Sequence, residues 1–368
     1  MKTNWFSFIF AIVAVFLFPS LYTGVVNGDV KDVSSAISYL AIQNQSKEVD
    51  FQTSETSVSL DTLCYMSAES FGGMISNVLG IFLEIKNNQA PGWTYVKEVK
   101  HGDSGLSWTL WQNNKDINTY CFVIAGTDEL EDIKRYIPMM LNESYCDQMD
   151  YVIEAAKNIK NYAKTSINKL YITGHSLGAY LAAYLMSDLV DYSVNPLTTN
   201  SRICANDIYN GLTIDKIKGV CFGGPGFYNG KSIKTTALEK VIKKDNLTTA
   251  LDLLGVENIT IKNGQLTTTV PSWVKEKKDN NANKKYDAYI ENHINIYDPV
   301  AHLCIGENAF THIGKVSNYE IKRIGSNFFM NAYKALNNSG LEFFKIADMY
   351  YHMPHVYINV MNSMVVIK

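Results

Sequence analysis

Residues 169–189 read KLYITGHSLGAYLAAYLMSDL. Lys169–Thr173 has the length and apolar content of a buried strand, and Ala179–Leu189 continues as a helix whose approach is lined by Ala179, Ala182 and Ala183. Between them lies the turn Gly174-His175-Ser176-Leu177-Gly178. Strand, G-x-S-x-G turn and helix together form a nucleophile elbow, in which the serine occupies a strained corner and presents its hydroxyl above the sheet. Glycine is expected at both ends of the turn because a Cβ there would strike the neighbouring strand or helix. The five-residue pattern alone arises by chance in roughly one chain in ten of this length. The flanking strand and helix give it weight.

Working outward, Asn118–Ile124 (NTYCFVI) is the strongest strand signal, and it closes on Ala125-Gly126-Thr127. Trp93–Lys100 and Ser107–Gln112 alternate like strands around the turn His101–Gly105. Tyr151–Lys164 carries Val152, Ile153, Ala156, Ile159 and Ala163 on one helical stripe and feeds the elbow strand. Ile217–Phe222 and His293–Tyr297 are two further buried strands, while Val33–Gln43 and part of Ser59–Lys86 have helical period. Helices alternating with apolar strands predict an α/β fold with a mostly parallel sheet. Two stretches, 192–215 and 232–287, exceed that layout and are expected as insertions in a single domain spanning 29–368. The charge run Lys275–Lys285 (KEKKDNNANKK) within the second is expected as a solvated loop.

A net charge of −3 gives no electrostatic case for a nucleic-acid partner. At the N-terminus, Lys2 precedes an apolar run of about fourteen residues, Trp5–Phe18, which Pro19 breaks before a small-residue stretch ending at Gly28. This pattern predicts a secretory signal over residues 1–28 and an extracellular protein. The alternative is an N-terminal membrane anchor, since a run extended to Val26 is just long enough to span a bilayer. The six cysteines form no C-x-x-C pair, which excludes zinc-ribbon and thioredoxin readings. Cys121 and Cys221 lie in strand-like runs where a buried thiol is as natural as a disulfide. No cluster has metal-ligand spacing, and neither metal nor organic cofactor is expected.

A serine hydroxyl needs a base to take its proton and a carboxylate to orient that base. On an α/β-hydrolase sheet these follow in the order serine, acid, histidine. Asp298 directly follows the strand ending at Tyr297 and precedes Pro299, at the strand end where ligands bind in such sheets. Asp-Pro is also a favoured turn dipeptide. Of the later histidines, His302 is too close to Asp298 to return from a separate loop, and His312 suits either a structural or a basic role. His352 and His355 lie in Tyr350–Tyr357 (YYHMPHVY), where a last loop would cross the sheet. The oxyanion donors expected are the amide of Leu177, next to the serine, and Thr127 at the end of an earlier strand.

These residues resemble the class 3 lipases, the family of the secreted fungal triacylglycerol lipases. The family's F-R-G-T/S-like turn and acidic lid stretch are similar to Phe122–Thr127 and Glu129–Ile133, with Ala125 replacing the arginine and no tryptophan following. The elbow matches through Ala179. Phe222–Asn229 (FGGPGFYN) is similar to F-G-x-P-x-x-G-N, and Asp298–Leu303 (DPVAHL) to D-x-V-P-x-L with alanine for proline. Thr311-His312-Ile313-Gly314 resembles a segment whose histidine is not the base in that family. The base of many relatives opens an H-x-x-x-x-Y segment. His352 has that spacing to Tyr357, with His355 as the alternative. The resemblance covers roughly Tyr95 to Tyr357. It implies an α/β-hydrolase fold and hydrolysis of an ester or lipid through Ser176, Asp298 and His352.

A triacylglycerol lipase is the foremost expectation, with a short-chain esterase or phospholipase A1-like enzyme as alternatives. A hydrolase-like binding protein without activity is the alternative of another class. Asp128–Leu141 (DELEDIKRYIPMML), with Ile137, Pro138, Met139, Met140 and Leu141 together at its end, is expected either as a lid acting at a lipid–water interface or as an ordinary packed helix.

Overall fold

The computed structural model describes residues 48–49, 58–69, 90, 92–100, 104–126, 148–196, 201–228, 233–234, 259–262, 265–268, 277, 279–295, 298, 300–301, 310–319 and 357. Its centre is a sheet of seven strands: β1 (Trp93–Lys100), β2 (Ser107–Asn113), β3 (Thr119–Ile124), β4 (Lys169–His175), β5 (Ile217–Phe222), β6 (Ile290–Asn295) and β7 (Lys315–Tyr319). Their spatial order is β7-β6-β5-β4-β3-β2-β1, so every strand lies beside its predecessor in sequence. β1, β2 and β3 pair antiparallel, and β3 through β7 pair parallel. Helices α1 (Leu60–Glu69) and α3 (Leu177–Val194) pack against this sheet, and α2 (Gln148–Asn158) packs against α3. With a mostly parallel sheet carrying a serine corner after its central strand, the chain has the α/β-hydrolase fold.

Both faces of the sheet are covered, so the central strands carry no polar alternation. Leu110, Phe122, Ile124, Leu170, Ile172, Ile217 and Cys221 form one core with α2 and α3. Their chain neighbours Trp111, Cys121, Val123, Tyr171, Val220 and Phe222 form a second with Leu63, Cys64 and Met66 of α1. Residues 177–191 of α3 are all buried, which makes it an internal helix rather than an amphipathic one. Gly219 lets α3 lie close on β5, since a Cβ there would sit 2.6 Å from Met186 Cγ.

The structure differs from the sequence expectations in several places. α3 continues five residues past Leu189, so the polar stretch expected to begin at Tyr192 starts later and still buries Ile203, Ile208 and Leu212. β6 begins at Ile290 rather than His293. β7 was not anticipated. The charge run is solvated at Asp279 and at Ala282–Lys284 but not throughout: Lys277 is 4% exposed and pairs with Asp188 (2.7 Å) and Asp191 (3.2 Å) of α3. Lys285 and the Tyr286 hydroxyl each reach the same Asp191 oxygen at 2.8 Å. The helix acids attract these lysines out of water, and the desolvation is offset by paired charge. Cys121, Cys204 and Cys221 are free thiols. The N-terminal segment 1–28, the helix expected at Val33–Gln43 and the lid stretch 128–141 lie outside the described residues. Among the described residues, no helix is long and apolar enough to cross a membrane.

Candidate active site

Ser176 sits where β4 turns into α3, with φ 57° and ψ −127°. An L-residue pays for such a backbone in strain, about 1–3 kcal/mol, and keeps it only where the surroundings dictate it. Here they do. A Cβ on Gly174 would lie 2.4 Å from the Gly178 carbonyl carbon, and one on Gly178 would lie 2.2 Å from the Ile124 carbonyl oxygen. The helix start is therefore pressed against both its own strand and the exit of β3. The Ser176 amide donates to the Phe222 carbonyl (3.0 Å), and its carbonyl accepts from the amides of Ala179 (3.0 Å) and Tyr180 (3.2 Å). Leu177 and Gly178 open α3, and helix-initial amides have no acceptor within their own helix.

Asp298 lies at the same end of the sheet, beyond β6, and is fully buried. Its Oδ1 accepts from the amides of Val300 (2.8 Å) and Ala301 (3.1 Å), so the residue does open a turn, as its Asp-Pro setting suggested. Its Oδ2 accepts from the Tyr357 hydroxyl, which in turn accepts the Asn295 amide at 3.1 Å. Burial, followed by the charge of Asp298, pushes the Tyr357 phenol well above its ordinary value, so it stays a donor.

Between serine and acid runs the exit of β5. Phe222 holds the serine's amide, and the next residue, Gly223, has φ +58° and donates to the His293 carbonyl (3.0 Å). A Cβ on Gly223 would come within 2.9 Å of both Asp298 Oδ2 and the Tyr357 ring. Ser176 and Asp298 thus flank one glycine corner at the carboxyl ends of parallel strands, the usual ligand side of such a sheet.

Leu177 stands at the elbow as expected, and Ala125 and Gly126 lead from β3 toward Thr127. Thr127, His352 and His355 themselves lie outside the described residues. His312 is at the Gly224 carbonyl, with its Nε2 at 2.9 Å. Tyr357 and Gly223 were not singled out as parts of the site. Tyr357 was visible only as the end of the H-x-x-x-x-Y spacing, and Gly223 only within FGGP. Among the described residues, no group of three His, Cys, Asp or Glu side chains is placed to hold a metal ion.

No family model matches the chain, and no curated protein sequence matches it. Solved structures similar to it include lipase II from Rhizopus niveus, 13% identical with a TM-score of 0.38, covering 79% of this chain and 90% of that one. A lipase from Rhizopus microsporus var. chinensis is 13% identical with a TM-score of 0.37, covering 80% and 85% of the two chains. The Lip2 lipase from Yarrowia lipolytica is 13% identical with a TM-score of 0.36, covering 78% and 85%.

Proposed function

We propose that the chain is a serine carboxylic ester hydrolase, foremost a triacylglycerol lipase, working through an acyl-enzyme. The observation that carries this is Ser176 in a left-handed corner hemmed by two glycines, with a buried, hydrogen-bonded Asp298 across the next strand's exit. Ser176 Oγ attacks the ester carbonyl while His352 takes its proton. Asp298 fixes the imidazole tautomer and offsets the positive charge that forms. The Leu177 amide and Thr127 hold the oxyanion. His352 then protonates the departing alcohol, and a water activated by the same imidazole releases the acid. Tyr357 supports a base from the C-terminal segment, His352 or the alternative His355, because it ties that segment to Asp298. The N-terminal segment supports export, with residues 1–28 removed.

The test is fluorophosphonate labelling joined to turnover of a chain-length series of nitrophenyl esters and emulsified triglycerides. Ser176 is expected to carry the label, and Ser176→Ala to lower turnover about 10⁴-fold or more. A rate that jumps once the ester exceeds its solubility supports a lid and a lipid surface. A wild-type protein that neither labels nor hydrolyses any ester of the series is the hydrolase-like binding protein instead.

A further inference from the structure

We propose that Tyr357 is a positioning residue of the reaction, acting through Asp298 to set where the imidazole docks and how strongly it holds a proton. This rests on the ester hydrolase reading above. An ionised carboxylate offers about four lone-pair positions. In Asp298 the two on Oδ1 are directed by the amides of Val300 and Ala301, and one on Oδ2 by the Tyr357 hydroxyl. The hydroxyl thus fixes one direction of approach at Oδ2, and an imidazole N–H that docks on this carboxylate has to come beside it.

The hydroxyl has no freedom to turn away. Its lone pair receives the Asn295 amide, so its proton points at Asp298. The ring is equally fixed. It is fully buried, it lies against Gly223, where a side chain would touch its Cε2 and Cζ at 2.9 Å, and it meets the His175 ring edge-on at 5.5 Å. Gly223 is therefore the space that admits Tyr357, and His175, the residue before the serine, is the wall behind it. Burial and the neighbouring carboxylate keep the phenol protonated. It withdraws charge from Asp298 without titrating, and the imidazole meets a carboxylate that is partly neutralised as well as aimed.

The sign of the effect follows. Removing the hydroxyl returns charge to Oδ2, so the imidazole holds its proton to higher pH and the acid limb of kcat/KM moves up. Tyr357→Phe is expected to lower kcat about tenfold, the loss of one hydrogen bond to a charged group, with KM unchanged and the acid limb raised by about half a pH unit. Because Phe also leaves the Asn295 amide without its acceptor, a second variant with the hydroxyl retained is needed. 3,5-Difluorotyrosine inserted at 357 is a stronger donor of nearly the same shape, and is expected to move the limb the opposite way. In an Asp298→Ala background, Tyr357→Phe is expected to cost no further activity, since the two act as one unit. Rates are taken per active site, counted by fluorophosphonate.

Shifts of opposite sign in the two variants, together with non-additivity, establish the role. A limb that stays put in both, or a Phe effect that is undiminished without Asp298, overturns it and leaves Tyr357 as packing. Absence of fluorophosphonate labelling at Ser176 in the wild type is a different failure, that of the hydrolase reading, and removes this proposal with it.

Discussion

At the N-terminal end of α3, backbone is held against backbone at separations that no side chain would tolerate. Near its C-terminal end, at Asp188 and Asp191, the same helix is held by charge taken out of water. The first fastening works by absence, since Gly174 and Gly178 have no Cβ to push the serine corner apart. The second works by compensation, since the carboxylates of Asp188 and Asp191 are balanced by Lys277 and Lys285 from a segment far along the chain. Steric fastening is short-ranged and fixes an angle, which suits a residue whose backbone must stay at φ 57°. Ionic fastening tolerates small displacements but depends on every partner being present. The serine end is rigid by geometry, and the distal end only by balance.

This contrast can be broken at either end. Gly178→Ala is expected to cost about 4 kcal/mol or more, because the new methyl meets the fixed carbonyls of Ile124 and Ala125 rather than a side chain that moves aside. Urea unfolding measures this, and a loss under 1 kcal/mol would show that the corner yields.

At the other end, Lys277→Met is expected to cost ~3 to 5 kcal/mol, by stranding a buried carboxylate. Adding Asp188→Leu restores the balance, leaving Asp191 with Lys285, Tyr286 and Asn280, and is expected to recover most of that loss. If the double variant is as unstable as the single one, packing rather than charge holds the distal end.

A smaller effect tests β6, the strand that precedes Asp298. His293 at 3.6 Å and Lys218 at 3.2 Å bring the Glu291 carboxyl down to about 2 from an ordinary 4.5. A carboxyl depressed by folding stabilises fully above its unfolded pKa and loses that contribution as pH falls from about 4.5 through 2. Glu291→Gln is expected to remove this pH-dependent component, at most ~3 kcal/mol, so the wild-type advantage shrinks across that window. Parallel stability curves for the two proteins would rule the linkage out.

The smallest effect is chemical. Cys221 packs under α3 with its thiol pushed up to about 12 by burial, whereas Cys204 is partly exposed. Of the four described cysteines, iodoacetamide is expected to modify only Cys204 in the native protein. Labelling at Cys221 in Lys277→Met, read by peptide mass, would report α3 lifting at its ionic end.

The elbow was legible because a strand buried on both faces is a bounded apolar run, and because glycine at Gly174 and Gly178 has no substitute. β3, β4 and β5 share that signature. β6 was read three residues late because Glu291 and Asn292 look like loop residues until Lys218 and the Ile313 carbonyl are seen to satisfy them. β7 is a polar edge, KVSNY, whose only fully covered residue is Tyr319. Lys277 looked solvated for the same reason in stronger form. A lysine enters a core only for a specific counter-charge, and Asp188 and Asp191 lie far from it in sequence. In the candidate site, Asp298 was singled out by its place after a strand. Tyr357 was not, because its partner is defined by the fold and not by spacing.

The unbroken succession of strands across the sheet also sets an order of assembly during synthesis. As the chain leaves the ribosome, each new strand finds its hydrogen-bonding neighbour already made, from Trp93 to Tyr319. The serine, however, emerges before the carbonyl of Phe222 that secures its amide, and long before Asp298 and Tyr357. A nascent chain stopped short of residue 217 carries Ser176 without the carbonyl that secures its amide and without Asp298. The serine corner is therefore secured only after β5 has formed, and Asp298 meets Tyr357 later still.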